Sequence, residues 1–341
     1  MRQFENEGEF RGPCQMLMRY GLEIGMEKIL RVAIIQKAPV FLHREKTIAL
    51  AVASVEEAVA GGARLIVFPE AFISGYPAWI WRLRPGGDMA LAEQLHLALL
   101  ESAVTLDSNQ LAPLCHAARE HKVTVICGLH ERDGATSRGT LYNTVVTIGH
   151  DGELLNRHRK LMPTNPERMV WGWGDASGLK TVDTPLGRIG ALICWESYMP
   201  LVRYALYAQG IDIYVAPTYD AGDRWLATMQ HIAREGGCYV LGSGLAFKGT
   251  DLPKDFPGRD QLYPLLDEWV NGGDSVVVAP NGKIVAGPLR DQQGVLYAEL
   301  DPALIAAARR TLDTVGHYAR PDLFHLEVTT TKVEPVKFRG P

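Results

Sequence analysis

Arg188-Ile-Gly-Ala-Leu-Ile-Cys-Trp-Glu-Ser-Tyr-Met-Pro200 is the stretch on which the reading of this chain turns. Up to Cys194 its residues are almost all small or apolar, the pattern of a buried strand. After Ser197 the residues Tyr198, Leu201, Val202, Ala205 and Leu206 recur at helical spacing. Cys194 therefore stands where a buried strand turns towards a helix. α/β proteins expose nucleophiles at such places, because the backbone N–H groups that follow can hold negative charge. Taken alone, a strand cysteine is more often a packing residue, so the rest of the chain decides.

Working outward, the same strand–helix–strand rhythm continues on both sides. Ile211 to Pro217 reads as a buried strand, a helix near 223–236 stops at Gly236-Gly237, and Cys238 to Leu241 forms the next strand. Cys238 has only a packing case. Upstream, Arg31 to Gln36 is a strand, and residues 43–60 carry Ile48, Ala51, Val52, Val55 and Val59 at helical spacing before Gly61-Gly62. Leu65 to Phe68 follows as a strand closed by Pro69, which makes a parallel crossover unit. A helix at 108–121 and a strand from Val123 to Gly128 come next, and His130-Glu131 are expected to open a polar loop. Leu141 to Ile148 pairs through the Asp151-Gly152 turn with Glu153 to Asn156. Residues 78–106, with Trp79 and Trp81, read as a turn and then a helical segment, and 250–270 as an excursion or lid. Ser275 to Val285 is a hairpin with an Asn281-Gly282 turn, followed by a closing strand at 296–300 and a last helix at 302–309.

Composition narrows the class. The chain has 341 residues, 47% hydrophobic and 22% charged, with a formal net charge of −4. That is an ordinary globular profile, without the basic excess of a protein that binds nucleic acid or anionic membrane. Cys14, Cys115, Cys127, Cys194 and Cys238 are scattered, with no C-x-x-C pair and no Cys/His cluster that suggests zinc or a disulfide framework. A reducing cytoplasm fits best. No apolar run reaches the ~18 residues needed to span a membrane, and the N-terminus lacks the apolar core of a signal peptide. Residues 1–28 read as an extension, with Met26 as an alternative start, 29–325 as a single domain, and 326–341 as a mobile tail.

Two further strand ends carry chemistry. Glu70 opens Pro69-Glu-Ala-Phe-Ile-Ser-Gly-Tyr-Pro77 directly after a buried strand, where a carboxylate is costly unless something uses it. Lys160 ends a probable strand after Arg157-His-Arg159, and Glu167 follows in a loop rich in Pro and Trp. A cysteine needs a base to become a thiolate near neutrality, and a carboxylate raised by burial can serve. A buried lysine can hold the negative charge that develops when a thiolate attacks a C–N carbon. A second carboxylate would keep that lysine oriented and charged.

The segments Phe68 to Pro77, Arg159-Lys-Leu-Met-Pro-Thr164 and Cys194-Trp-Glu-Ser197 resemble, in order and separation, the three signature regions of the nitrilase (carbon–nitrogen hydrolase) superfamily. Pro166 to Asp175 and Val315 to Asp322 resemble the nitrilase branch. The resemblance covers roughly residues 29–325. It implies a four-layer α-β-β-α sandwich and a homodimer or larger spiral homo-oligomer with the helices next to Cys194 at one interface. It also implies no metal and no organic cofactor. By the same resemblance Cys194 is the nucleophile, Glu70 the general base, Lys160 the stabilising cation and Glu167 the second acid, with the Trp195 N–H as a further donor. Tyr76, Trp195 and Tyr219 are the pocket candidates, against simple aromatic packing.

The implied activity is hydrolysis of an organic nitrile to a carboxylic acid and ammonia. The alternatives are an amidase or cyanide-hydrolysing enzyme of the same superfamily, and a non-catalytic binding or assembly member. A low-pKa Cys194 is expected to alkylate faster than Cys238. Ser197 departs from the His or Asn that many nitrilases carry there, and with residues 78–106 it is expected to line the pocket. No histidine has a context that requires it, and His317 reads as structural.

Overall fold

The computed structural model describes residues 29–134, 136–331, 336 and 339. The expected extension at 1–28 lies outside the described residues, as does most of the segment beyond 331. Thirteen strands run along the described chain. They are β1 (Leu30–Gln36), β2 (Leu65–Val67), β3 (Thr124–Arg132), β4 (Leu141–Ile148), β5 (Leu154–Arg159), β6 (Val182–Thr184) and β7 (Gly187–Ala191). The rest are β8 (Ile213–Thr218), β9 (Tyr239–Gly244), β10 (Ala246–Lys248), β11 (Trp269–Val278), β12 (Ile284–Arg290) and β13 (Gly294–Leu300). One sheet has the order β13-β1-β2-β3-β4-β5, the other β10-β11-β9-β8-β7-β6 with β12 paired to β11.

Alternation along the strands makes the layers. Successive side chains in a strand point to opposite faces. Val32 and Ile34 of β1 share one apolar cluster with Ile213 and Val215 of β8, so that cluster lies between the two sheets. Their neighbours Ala33 and Ile35 face Ile48, Ala51 and Val55 of the helix Arg44–Ala60 and Leu114 of the helix Ala112–His121. On the other sheet Tyr214 and Ala216 face Val202 and Leu206 of the helix Pro200–Tyr207, with Trp225 and Met229 of the helix Asp223–Gly236. Helix, sheet, sheet and helix are the four layers expected from the resemblance.

A fourth cluster caps the sheets and bounds the site. Tyr76, Trp79, Leu95 and Leu99 pack with Phe247, Phe256 and Tyr263. The poorly patterned stretch 78–106, which forms a short 3₁₀ turn at Ala78–Trp81 and a helix at Met89–Ser102, thus closes against the 250–270 excursion. That excursion ends early, since β11 already begins at Trp269.

One local expectation is overturned. His130 and Glu131 open no loop; both lie inside β3, and both are buried. Burial is tolerated because each has partners. His130 Nε2 donates to the Gly75 carbonyl at 2.8 Å, and Glu131 accepts from Thr144 at 2.9 Å and from Arg157 and Arg159. A polar pair interrupting an apolar strand reads as a loop until these long-range partners are known. Beyond residue 325, Leu326 packs on the cluster that includes Val202 and Leu206.

Candidate active site

Cys194 follows β7 after two residues and opens a 3₁₀ turn, Cys194–Tyr198, before the helix Pro200–Tyr207 begins with Pro at its first position. Its φ is +53°, in the left-handed region that a non-glycine side chain rarely occupies. Such strain persists only where surrounding contacts over-determine it, and it clusters at functional sites. Glu196 supplies those contacts. Its carboxylate accepts from the Ile193 N–H at 2.7 Å, from the Leu161 N–H at 2.7 Å and from His158 Nε2 at 3.0 Å. One buried side chain therefore fixes the backbone beside both Cys194 and Lys160. Burial pushes the Glu196 carboxyl up, but His158 and the two amides outweigh it and hold the group below its ordinary value.

Lys160 follows β5 and is completely enclosed. Its ammonium donates to Glu70 Oε1 at 2.8 Å and to Glu167 Oε2 at 2.7 Å. Glu70, buried just past β2, also accepts from Asn143 Nδ2 at 2.7 Å and from the Tyr219 N–H at 2.7 Å. Glu167 sits in a 3₁₀ turn capped by Thr164 and accepts from the Tyr76 hydroxyl at 2.8 Å. Burial lowers the lysine's hold on its proton, yet Glu70, the cysteine and Glu167 together raise it above its ordinary value, so Lys160 is a permanent cation. Burial pushes Glu70 up, Lys160 pulls it back, and Glu167 adds to the push. The net is a carboxyl above its usual range and a better proton acceptor than a surface glutamate.

The expectation of a low-pKa thiol is corrected by the same surroundings. Burial pushes Cys194 well above an ordinary thiol, Glu70 and Glu167 push further, and Lys160 and a hydrogen bond with Thr218 oppose them. Cys238 is raised to about 12 by burial. The resting Cys194 is thus protonated, and its nucleophilicity has to come from transfer of the proton to a neighbour rather than from a standing thiolate.

Above this cluster lies a cavity of about 210 Å³, with Cys194 and Glu167 in its wall together with Tyr76, Trp81, Trp195 and Tyr219. Of the seven residues singled out from the sequence, Cys194, Glu167, Tyr76, Trp195 and Tyr219 line this cavity, and Glu70 and Lys160 are bonded to each other, with Lys160 also bonded to Glu167. Tyr76 and Tyr219 stack with ring centroids 3.9 Å apart and planes 4° from parallel, and Trp81 Nε1 donates to the Tyr76 hydroxyl at 3.2 Å. Trp195 is half exposed at the rim, its indole N–H bonded to Asp220 at 2.8 Å. Ser197, by contrast, lies outside the cavity wall. It is buried against the Tyr214 hydroxyl at 3.0 Å, because the 3₁₀ turn points it back into the helix layer.

Several site residues escaped the sequence reading. Asn143 was visible only as a polar residue in an apolar strand, and Glu196 only as part of the Cys-Trp-Glu run. His158 and His130 are buried and bonded, whereas His317 is exposed beside Tyr318. His130 Nδ1 accepts from Trp171 Nε1 at 3.0 Å, and Trp171 lies edge-on to Tyr76. Among the described residues no group of three or more His, Cys, Asp or Glu could hold a metal ion, and no helix is long and apolar enough to cross a membrane.

Comparison with known proteins bears on the fold and the family. The chain is 41% identical over 314 residues to the bifunctional nitrilase/nitrile hydratase NIT4B of Nicotiana tabacum, covering 91% of this chain and 88% of that protein. It is 43% identical over 299 residues to an aliphatic nitrilase of Sinorhizobium fredii, covering 87% and 95%. The crystal structure of Saccharomyces cerevisiae Nit3, a member of branch 10 of the nitrilase superfamily, superposes with a TM-score of 0.67 at 22% identity, over 86% of this chain and 98% of that one. That likeness establishes the shared four-layer fold. Residues 31–310 match the family model for carbon–nitrogen hydrolases. On that span and on these relatives, the chain belongs to the carbon–nitrogen hydrolase family.

Proposed function

We propose that the protein is a nitrilase, converting an organic nitrile and two waters to a carboxylic acid and ammonia. The observation that carries the reading is the Glu70–Lys160–Glu167 chain of hydrogen bonds packed beneath a cavity that Cys194 also lines. Glu70 takes the thiol proton as sulfur attacks the nitrile carbon, and the nitrogen is protonated to give a thioimidate. Lys160 stabilises the charge that develops on that nitrogen, and Glu167 holds the lysine in place. Water adds to the thioimidate carbon, ammonia leaves, and a thioester remains. A second water hydrolyses it to the acid and frees the thiol. Dividing one hydrolysis into two covalent halves lowers each barrier.

A nitrile is favoured over an amide as substrate because the curated relatives at this level of identity carry the nitrilase name. Several relatives, from Nicotiana tabacum and Lupinus angustifolius, are named bifunctional nitrilase/nitrile hydratases. The tetrahedral adduct formed by the first water can expel the thiol instead of ammonia, which releases an amide, so some amide is expected beside the acid. Trp195, Tyr76 and Tyr219 form the substrate walls in this reading. A homodimer or longer spiral through the helix Pro200–Tyr207 is supported by the exposed Leu201 on that helix and by Phe324 near it. A cytoplasmic setting is supported by Cys115, Cys127, Cys194 and Cys238, all free thiols.

The test is release of ammonia, acid and amide from a panel of nitriles and the matching amides, with wild type and Cys194→Ala. Acid from nitriles, absent in the variant, is the expected result. Turnover of amides alone moves the protein to the amidase reading, and no turnover of either, with Cys194 inert to alkylation, removes the catalytic one.

A further inference from the structure

Two acids line the cavity, Glu167 beside the lysine and Asp220 near the rim, and no lysine, arginine or histidine is among the described residues of its wall. Lys160 lies behind that wall, completely buried and bonded to a carboxylate on either side. Asp220 is held fast. Its Oδ2 accepts from Trp195 Nε1 at 2.8 Å and from the Tyr198 hydroxyl at 3.3 Å, and its Oδ1 accepts from the Ala221 N–H at 2.9 Å. Its own N–H donates to Thr218 Oγ1 at 2.8 Å, and Thr218 hydrogen-bonds Cys194. A carboxylate has about four acceptor positions, so these three donors leave room for one more. A charge pinned in this way cannot swing into bulk water, and it acts on whatever enters.

We propose that Asp220 sets the charge selectivity of the site: it turns away nitriles that carry a carboxylate near the cyano group and admits neutral ones and those carrying an ammonium. The substrate class rests on the nitrilase reading above. The charge filter itself is a property of the cavity, and it can be read without turnover.

The experiment measures alkylation of Cys194 by iodoacetamide and by iodoacetate, near-isosteres that differ in charge, in wild type, Asp220→Asn and Asp220→Glu. In each case sulfur displaces iodide to form a thioether, and peptide mass spectrometry separates Cys194 from the other cysteines. The quantity read is the ratio of the neutral to the anionic rate, so intrinsic reagent differences cancel between proteins. Asp220→Asn keeps an acceptor oxygen for Trp195 and Tyr198 but loses the charge. Its ratio is expected to fall about tenfold, the effect of one like charge at a partly solvated site. Asp220→Glu keeps the charge and should stay close to wild type. An unchanged ratio in Asp220→Asn overturns the proposal, and so does a Cys194 that neither reagent reaches.

Should Asp220→Asn fail to fold, the wild-type ratio decides: it must shrink as salt is raised, and a ratio insensitive to salt overturns the filter. Neutral and carboxylate-bearing nitriles are assayed in parallel. If no nitrile is turned over while the alkylation bias holds, the nitrilase reading fails and the charge filter stands.

Discussion

His158 Nε2 donates to Glu196 at 3.0 Å, and both side chains are buried. Glu196 belongs to the turn that presents Cys194, and His158 belongs to β5, which ends just before Lys160. The pair therefore joins the two sheets at the point where their chemistry meets. With the Ile193 and Leu161 amides on the same carboxylate, the positions of Cys194 and Lys160 are coupled through one group.

Glu196→Gln tests that coupling. A glutamine offers one carbonyl oxygen where three donors are waiting, and it brings an NH₂ group against them. Breaking a buried pair of this kind costs about 3–5 kcal/mol, so a clear drop in the unfolding midpoint is expected. If Glu196 positions the site, kcat also falls at temperatures where the variant is fully folded, while KM moves little. A destabilised variant with wild-type kcat would show that the carboxylate serves the fold alone.

Glu70→Gln removes the carboxylate proposed as proton acceptor but keeps the shape and an oxygen for Lys160. Loss of a general base lowers rates by about 10²–10⁴-fold. The expected result is a kcat reduced within that range, with alkylation of Cys194 slowed in parallel, because a thiol raised by burial then has no neighbour to take its proton. Fast alkylation in Glu70→Gln would mean that another group activates the sulfur.

Lys160→Met should be costly in both folding and activity. The lysine is enclosed between Glu70 and Glu167, and it opposes the rise in Glu70 that burial imposes. Without it, two buried carboxyls are left without the cation between them, and one of them takes up a proton. The expected loss is about 3–5 kcal/mol of stability, together with activity too low to measure. Purified Lys160→Met that melts like wild type would contradict the charge arrangement described here.

How much of this was legible in the sequence depended on where each partner lay. Cys194 and Glu70 could be found because each follows a short apolar run, where the strand pattern stops and a reactive side chain begins, and Lys160 because it ends a probable strand, although that strand closes on Arg157-His-Arg159. Glu167 came from the unusual loop around it. Asn143 and His158 lie within strands whose polar residues look like surface positions. Their role depends on Glu70 and Glu196, which are 73 and 38 residues away. Local patterns cannot show a bond of that range. His130 and Glu131 failed for the same reason, read as a loop because two polar residues usually mark one. Asp220 carried no local signal either, and only the fold brings it into the wall of the cavity that Cys194 also lines.

His130 links stability to pH. Burial lowers its pKa to about 4 from an ordinary 6.5, because the charged form is disfavoured in a dry setting; the hydrogen bond to the Gly75 carbonyl opposes the shift but does not outweigh it. Between those two pH values the unfolded chain binds a proton that the folded chain refuses, so stability falls as pH is lowered. The contribution is fully present above pH 6.5 and is lost towards pH 4, amounting to roughly 3 kcal/mol. Denaturant unfolding of wild type and His130→Gln across this range measures it. The variant is less stable at every pH, having lost the fit to Trp171, but its acid-side slope should be shallower than that of wild type. Parallel slopes would mean that His130 titrates alike in the folded and unfolded chains, and that its burial does not exclude the proton.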